Sequence, residues 1–220
     1  MNGKVIELRR LLAERFPSPR LVDRTAEGPR EPTGVPALDE ALGGGLPRGE
    51  FTEVVAAGTG TGSAQIWHAW LRCVAAAGRF LALVDGADSF DVAAQDPAVL
   101  ARLLWVRCRR AGEALQATDL ILRDRNFPLV ALDLKLNPPA ELRRIPSSVW
   151  HRFKRLLEHS AATVMVVSPV PLVSGAACRI ELAPSLTPAS LAHPAPLAEL
   201  RFTVQHRPAR QTVAELARAG

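Results

Sequence analysis

The stretch Phe51-Thr52-Glu53-Val54-Val55-Ala56-Ala57-Gly58-Thr59-Gly60-Thr61-Gly62-Ser63-Ala64 decides how this chain is read. The apolar run over 51–55 predicts a strand, and three alternating glycines predict a tight loop. The segment 63–77 predicts a helix with Ile66, Trp67, Trp70, Leu71 and Val74 on one side. Strand, glycine loop and helix in that order form the setting of a phosphate-cradling P-loop, where backbone amides and a helix N-terminus meet anionic oxygens. Catalysis at such a loop needs Gly-x-x-x-x-Gly-Lys-Ser/Thr. The lysine neutralises the β- and γ-phosphates, and the hydroxyl holds Mg²⁺. Here Gly62 is followed by Ser63, and the nearest downstream lysine is Lys135. Gly58, Gly60, Gly62 and Ser63 therefore read as a vestigial nucleotide-binding loop without its main cation.

Downstream, apolar runs and helical patterns alternate. Strands are expected at 80–84, 104–107, 128–132 and 162–167, with helices near 97–103, at 111–123 and at 147–159. That alternation predicts an α/β fold with a mostly parallel central sheet. Arg179-Ile180-Glu181-Leu182 and Leu200-Arg201-Phe202-Thr203-Val204-Gln205 instead alternate with period two, which predicts antiparallel C-terminal strands with one wet face. A proline-rich stretch from Pro184 to Pro196 separates them.

Upstream, residues 3–15 predict an amphipathic helix, with Val5, Ile6, Leu8, Leu11 and Leu12 opposite Arg9, Arg10 and Arg15. Phe16 to Pro32 is proline- and charge-rich, as a connector would be. The expected organisation is an N-terminal helix (1–16), a linker (17–32), a core (33–207) and a polar, alanine-rich tail (208–220). A tethered helix suits docking or oligomerisation; a helix folded back over a hydrophobic edge suits the same residues.

Two hundred and twenty residues with 48% hydrophobic content suit one medium domain with appendages. No apolar run reaches the roughly 20 residues that span a bilayer. The N-terminus lacks a signal-peptide core, so a cytoplasmic location is expected. Cys73, Cys108 and Cys178 are widely spaced and read as reduced core residues rather than as a disulfide or zinc framework. The net charge is +5, carried almost wholly by arginine, since Lys4, Lys135 and Lys154 are the only lysines. GC-rich coding, which favours arginine, and a solvated surface explain that charge, as does a nucleic-acid or acidic-protein partner.

The segment from Thr33-Gly34 through Leu38-Asp39 and Gly44-Gly45-Leu46-Pro47-Arg48-Gly49 into the strand at Phe51 closely resembles the entry to the core of RecA-family recombinases. The match is specific over about 25 residues and topologically plausible to about residue 183. Within that family, the missing lysine, the segment Leu8-Arg9-Arg10-Leu11-Leu12-Ala13-Glu14-Arg15-Phe16-Pro17 and the small size look most like ImuA-type proteins. These are RecA-like accessory proteins of bacterial mutagenic translesion synthesis. SulA-type cell-division inhibitors share the degenerate RecA-like relationship and are the competing assignment. The resemblance implies an ImuB-type, polymerase-like partner, an error-prone polymerase complex and a role in the SOS response to DNA damage. RecA and the chain itself are further candidate partners, weak DNA binding stays open, and no membrane is implied.

The resemblance also shows what has been lost. RecA ends its second strand in Asp-x-Glu, whose glutamate activates water; here Asp85-Gly86-Ala87-Asp88 places Ala87 there. Asp133 keeps the Walker B position and could orient Mg²⁺ through water. Pro169 stands where RecA has a γ-phosphate-sensing glutamine. Losing the phosphate-neutralising lysine and the water-activating glutamate should each cost several kcal/mol of transition-state stabilisation, so the expectation is a protein that is not an enzyme, with no catalytic residue, cofactor or metal. An ATPase with an unusual cation, such as Arg48 or Arg79, is the alternative.

Candidate contacts are Val5, Leu8, Leu11 and Leu12 for a partner, with Arg201, Arg207 and Arg210 for a second one. Arg143, Arg144, Arg152, Lys154 and Arg155 are candidates for DNA or a filament; a solvated helix face accounts for them as well. His68, between Trp67 and Trp70, reads as structural, Trp105 as core and Trp150 as half exposed.

Overall fold

The computed structural model describes residues 29–187, 189, 197 and 200–206. The expected N-terminal helix, with Val5, Leu8, Leu11 and Leu12, lies outside the described residues, as do Arg207, Arg210 and the tail.

The elements run in the order β1 (Arg30–Glu31), α1 (Pro36–Ala41), β2 (Leu46–Pro47), β3 (Phe51–Ala56), α2 (Ser63–Ala76), β4 (Leu81–Asp85) and α3 (Pro97–Leu100). They continue with β5 (Leu103–Arg107), α4 (Ala111–Asp124), β6 (Leu129–Asp133), α5 (Pro139–Leu142), α6 (Ser147–Glu158), β7 (Thr163–Ser168), β8 (Cys178–Ala183) and β9 (Arg201–His206). Seven strands form one sheet in the order β5-β4-β6-β7-β3-β8-β9. Every pairing in it is parallel except β8 with β9. The expected α/β class and the mostly parallel sheet are therefore present.

One orientation differs from expectation. β8 runs parallel to β3, pairing Thr52 with Cys178 and Val54 with Ile180, so only β9 is antiparallel. Residues 169–177 cross from β7 on one side of β3 to β8 on the other without a helix. A buried carboxylate on β3 holds this crossing. Glu53 is 0% exposed; its Oε1 accepts the backbone amides of Leu172 (2.5 Å) and Val173 (2.9 Å). Its Oε2 accepts Arg179 Nε at 2.8 Å. A charge so placed requires such partners, because an unpaired buried carboxylate is very costly.

The sheet separates two apolar layers by the alternation of its strands. Leu81 and Leu83, Leu129 and Ala131, and Met165 and Val167 face the layer containing Trp67, Trp70 and Leu38. Ala82 and Val84, Val130 and Leu132, and Val164 and Val166 face the layer containing Phe127, Trp150 and Phe153. Helix α2 buries Ile66, Trp67, Trp70, Leu71 and Val74, the expected face. It stops in a Schellman arrangement: Gly78 takes a φ of 69°, Gly78 N–H donates to Ala75 O, and Arg79 N–H donates to Val74 O.

The entry segment has a physical basis for each of its signature residues. Asp39 on α1 accepts from Thr33 N (2.7 Å), Thr33 Oγ1 (2.8 Å) and Gly34 N (3.3 Å), so it holds the turn preceding its own helix. Leu38 is fully buried. Gly45 has a φ of 125° and lies against the backbone of Glu31 and Pro32, where a side chain has no room. Glu31 sits on β1, paired with β2, and is buried between Arg79 (2.6 Å) and Arg48 (3.2 Å). The body thus begins a few residues before Thr33, inside the charge-rich stretch expected to be linker.

Candidate functional site

The glycine loop leaves the carboxyl end of β3, where ligand crevices form in open α/β sheets. Gly58, Gly60 and Gly62 have φ values of 76°, 68° and 77°. All three occupy the left-handed region that glycine enters without steric cost. Gly62 is the N-cap of α2 and offers no side-chain cap. Thr61 and Ser63 are buried. The tight glycine turn predicted between strand and helix is therefore present, with Ser63 opening the helix.

The cation at this loop comes from elsewhere. Lys135, two residues beyond β6, reaches across the end of β7 and donates through Nζ to Ala56 O and to Gly58 O, the latter at 2.6 Å. Burial lowers the Lys135 pKa, and the neighbouring charge of Asp133 opposes that shift. Its ammonium is engaged by these loop carbonyls. Arg48 and Arg79, the expected substitutes, both bind Glu31 at the entry ends of β3 and β4, the end of the sheet opposite the glycine loop.

The carboxylates have separate roles. Asp85, at the end of β4, accepts backbone amides from Ala87, Ser89 and Phe90 and the indole N–H of Trp105 at 3.3 Å. It shapes the turn after its strand. Asp88, at a φ of 54°, forms a bidentate pair with Arg107 at 2.6 and 2.8 Å. The Arg107 hydrogen bonds hold the Asp88 carboxyl below its usual range. Asp133 pairs in register with Asp85 and accepts Lys135 N–H at 2.9 Å. Burial, with the nearby charge of Asp85, pushes Asp133 up to about 6. Ala87 supplies no base, and Pro169 carries no N–H. Beside Pro169, Ser168 donates to Val170 O at 2.8 Å.

The basic residues do not share one environment. Arg143 and Arg144 are exposed in the turn leaving α5. Arg152 pairs with Asp119 at 2.9 Å, and Lys154 pairs with Glu50 at the entry to β3. Arg155 is exposed on α6. The crossing at 169–177 carries no charged residue and is tied down by Glu53. Arg201 is exposed on β9 and donates its backbone N–H to Ser185 Oγ.

Several single residues are now placed. His68 packs edge-on against Trp67 (centroids 4.1 Å apart) and near Phe90, with burial lowering its pKa. Trp150 is buried, in T-shaped contact with Phe51 and Phe153, and not half exposed. It lies under the Phe51 face of β3, so its whole ring is needed to fill that layer. Trp105, expected in the core, is half-buried on the edge strand β5, under the Arg107 guanidinium. All three cysteines are free thiols, Cys73 only half-buried. Among the described residues no cluster of His, Cys, Asp and Glu has the makings of a metal site, and no helix is long and apolar enough to cross a membrane.

Glu53 and Lys135 are the residues that motif reading missed. A glutamate inside the apolar run 51–55 was the available signal for the first. No protein-family model matches the chain, and no curated protein matches it significantly.

Proposed function

We propose that the chain is a non-catalytic, RecA-like adaptor of the ImuA type, acting in DNA-damage-induced translesion synthesis. In this reading it binds an ImuB-type polymerase-like partner, with RecA or a second copy as further contacts. The observation that carries the reading is a phosphate cradle without working parts. Its three glycines keep their left-handed geometry, while the adjacent ammonium of Lys135 is held by loop carbonyls. Nothing at Ala87 activates water, and Asp88 is engaged by Arg107. The entry segment, with its Thr33–Asp39 network leading into β3, supports the RecA-like part of the reading. So does the placement of Asp133 and the Ser168-Pro169 end at the same edge of the sheet as the loop. The outer edge of β5, which no described strand covers, offers a surface on which a partner segment can pair.

A RecA-like ATPase is the second reading, and Lys135 is the observation favouring it: a lysine does lie at the loop. Phosphate release from ATP with Mg²⁺, measured alongside capture of the polymerase-like partner, separates the two. The adaptor reading expects capture without turnover and loss of capture when residues 1–16 are deleted. Turnover that disappears in Lys135→Met would overturn it in favour of the ATPase.

A further inference from the structure

The residues that leave β8 reach the glycine loop. Ser185 and Leu186 both donate their backbone N–H to Gly60 O, at 2.9 and 2.8 Å. Leu186 O lies so close over Gly60 that a Cβ there would stand 2.5 Å from it. At Gly62 a Cβ would stand 2.6 Å from Leu200 Cδ1 and 3.1 Å from Leu186 Cδ1. Leu186 is only 8% exposed. The end of the connection is tied back as well, since Arg201 N–H donates to Ser185 Oγ.

Two of the three loop glycines thus have a close neighbour, and in both cases it belongs to this chain. A phosphate group seated on the loop would approach the amides at the start of α2, beside Gly62 and Ser63. Two leucine side chains stand against that point. Apolar side chains contribute no donor to a polyanion.

We propose that the glycine loop serves as a dock for the residues that leave β8 and those that enter β9, with Leu186 and Leu200 as a strap that a polyphosphate ligand must displace. Strap and polyphosphate are then mutually exclusive occupants. The inference concerns how the loop is closed, and it holds whether or not the chain is an adaptor.

The test uses the full chain. Amide hydrogen exchange at Ser185 and Leu186 reads the strap directly, and calorimetric titration with inorganic tripolyphosphate and Mg²⁺ reads the loop. In the native protein both amides should exchange at least about tenfold more slowly than open-chain amides. Leu186→Ser/Leu200→Ser should lose that protection and bind tripolyphosphate at least about tenfold more tightly than the native chain. Unprotected amides in the native protein, or equal affinity in both proteins including no binding by either, would overturn the proposal. Should the double variant fail to fold, Gly60→Ala leaves both leucines in place and pushes on Leu186 O. It should release Ser185 and Leu186 while the amides shared by β3 and β7 stay protected; retained protection would overturn the proposal equally. ATP turnover by the native chain bears on the adaptor reading alone, so the two failures are distinguishable.

Discussion

Replacing Glu53 by alanine should be among the most damaging single changes to this fold. Its carboxylate takes two backbone amides of the β7–β8 crossing and the Arg179 guanidinium, all between 2.5 and 2.9 Å. Hydrogen bonds to a charged group contribute about 1.5–3 kcal/mol each, and deleting one partner of a buried pair costs about 3–5 kcal/mol. Arg179 is 31% exposed at its side chain and can recover water, which places the expected loss near the lower limit, about 3 kcal/mol. For a domain of this size about 1 kcal/mol lowers Tm by roughly 2–4 °C, so a fall of about 6–12 °C is expected. Urea unfolding and thermal melts measure it. Glu53→Ala/Arg179→Ala should lose less than the two single variants together, because the second change removes the cation that the first has orphaned. Hydrogen exchange should speed up at Leu172 and Val173 first. A loss under about 1 kcal/mol, or additive single effects, would show that Glu53 does not hold the crossing.

Three other outcomes follow from the same geometry. Asp133, raised by burial to about 6, lies above an unfolded aspartate near 4, so its ionisation weakens the fold progressively from about pH 4 to 6 and fully above that. Asp133→Asn, which keeps an acceptor for Lys135 N–H, should stabilise by about 2–3 kcal/mol at pH 7.5 and by almost nothing at pH 3.5; urea midpoints at the two pH values that shift alike would contradict it. Lys135→Met should cost about 1–2 kcal/mol and speed amide exchange across residues 57–62, since Ala56 O and Gly58 O lose their shared donor; unchanged exchange would mean the lysine does not hold the loop. Asp39→Ala should lower Tm by about 3–6 °C by freeing Thr33 and Gly34, and a melt within 1 °C of the native protein would refute that role.

The centre of the parallel core was legible because β3, β4, β6 and β7 are buried on both faces and therefore read as short apolar runs bounded by turn residues. The runs expected at 80–84, 128–132 and 162–167 lie one residue N-terminal of the observed β4, β6 and β7. The direction of β8 was not legible. Period two reports a half-wet strand and carries no information about which way the strand runs. That direction is set by the crossing before it, which is held through Glu53, a residue 119 positions away from Leu172. The linker boundary failed for a related reason. Glu31 has the same composition signature as its exposed charged neighbours, and only the convergence of Arg48 and Arg79 makes it interior.

The glycine loop joins both kinds of information. Its positive-φ glycines were legible because few residues other than glycine tolerate that backbone. What the loop holds was not, since Lys135 is 77 residues from Gly58 and reaches it only because β7 alone separates β6 from β3. A helix start that faces open solvent puts no steric demand on the residues of the loop before it. Here Gly60 remains under steric constraint, because the backbone Leu186 O leaves no room for a Cβ, and Gly62 is held at a positive φ with the Leu200 side chain against it. The glycines therefore have a present structural reason to be there, independent of any phosphate. A glycine-rich loop is diagnostic of close approach by some partner, and here the partner in contact is the polypeptide itself.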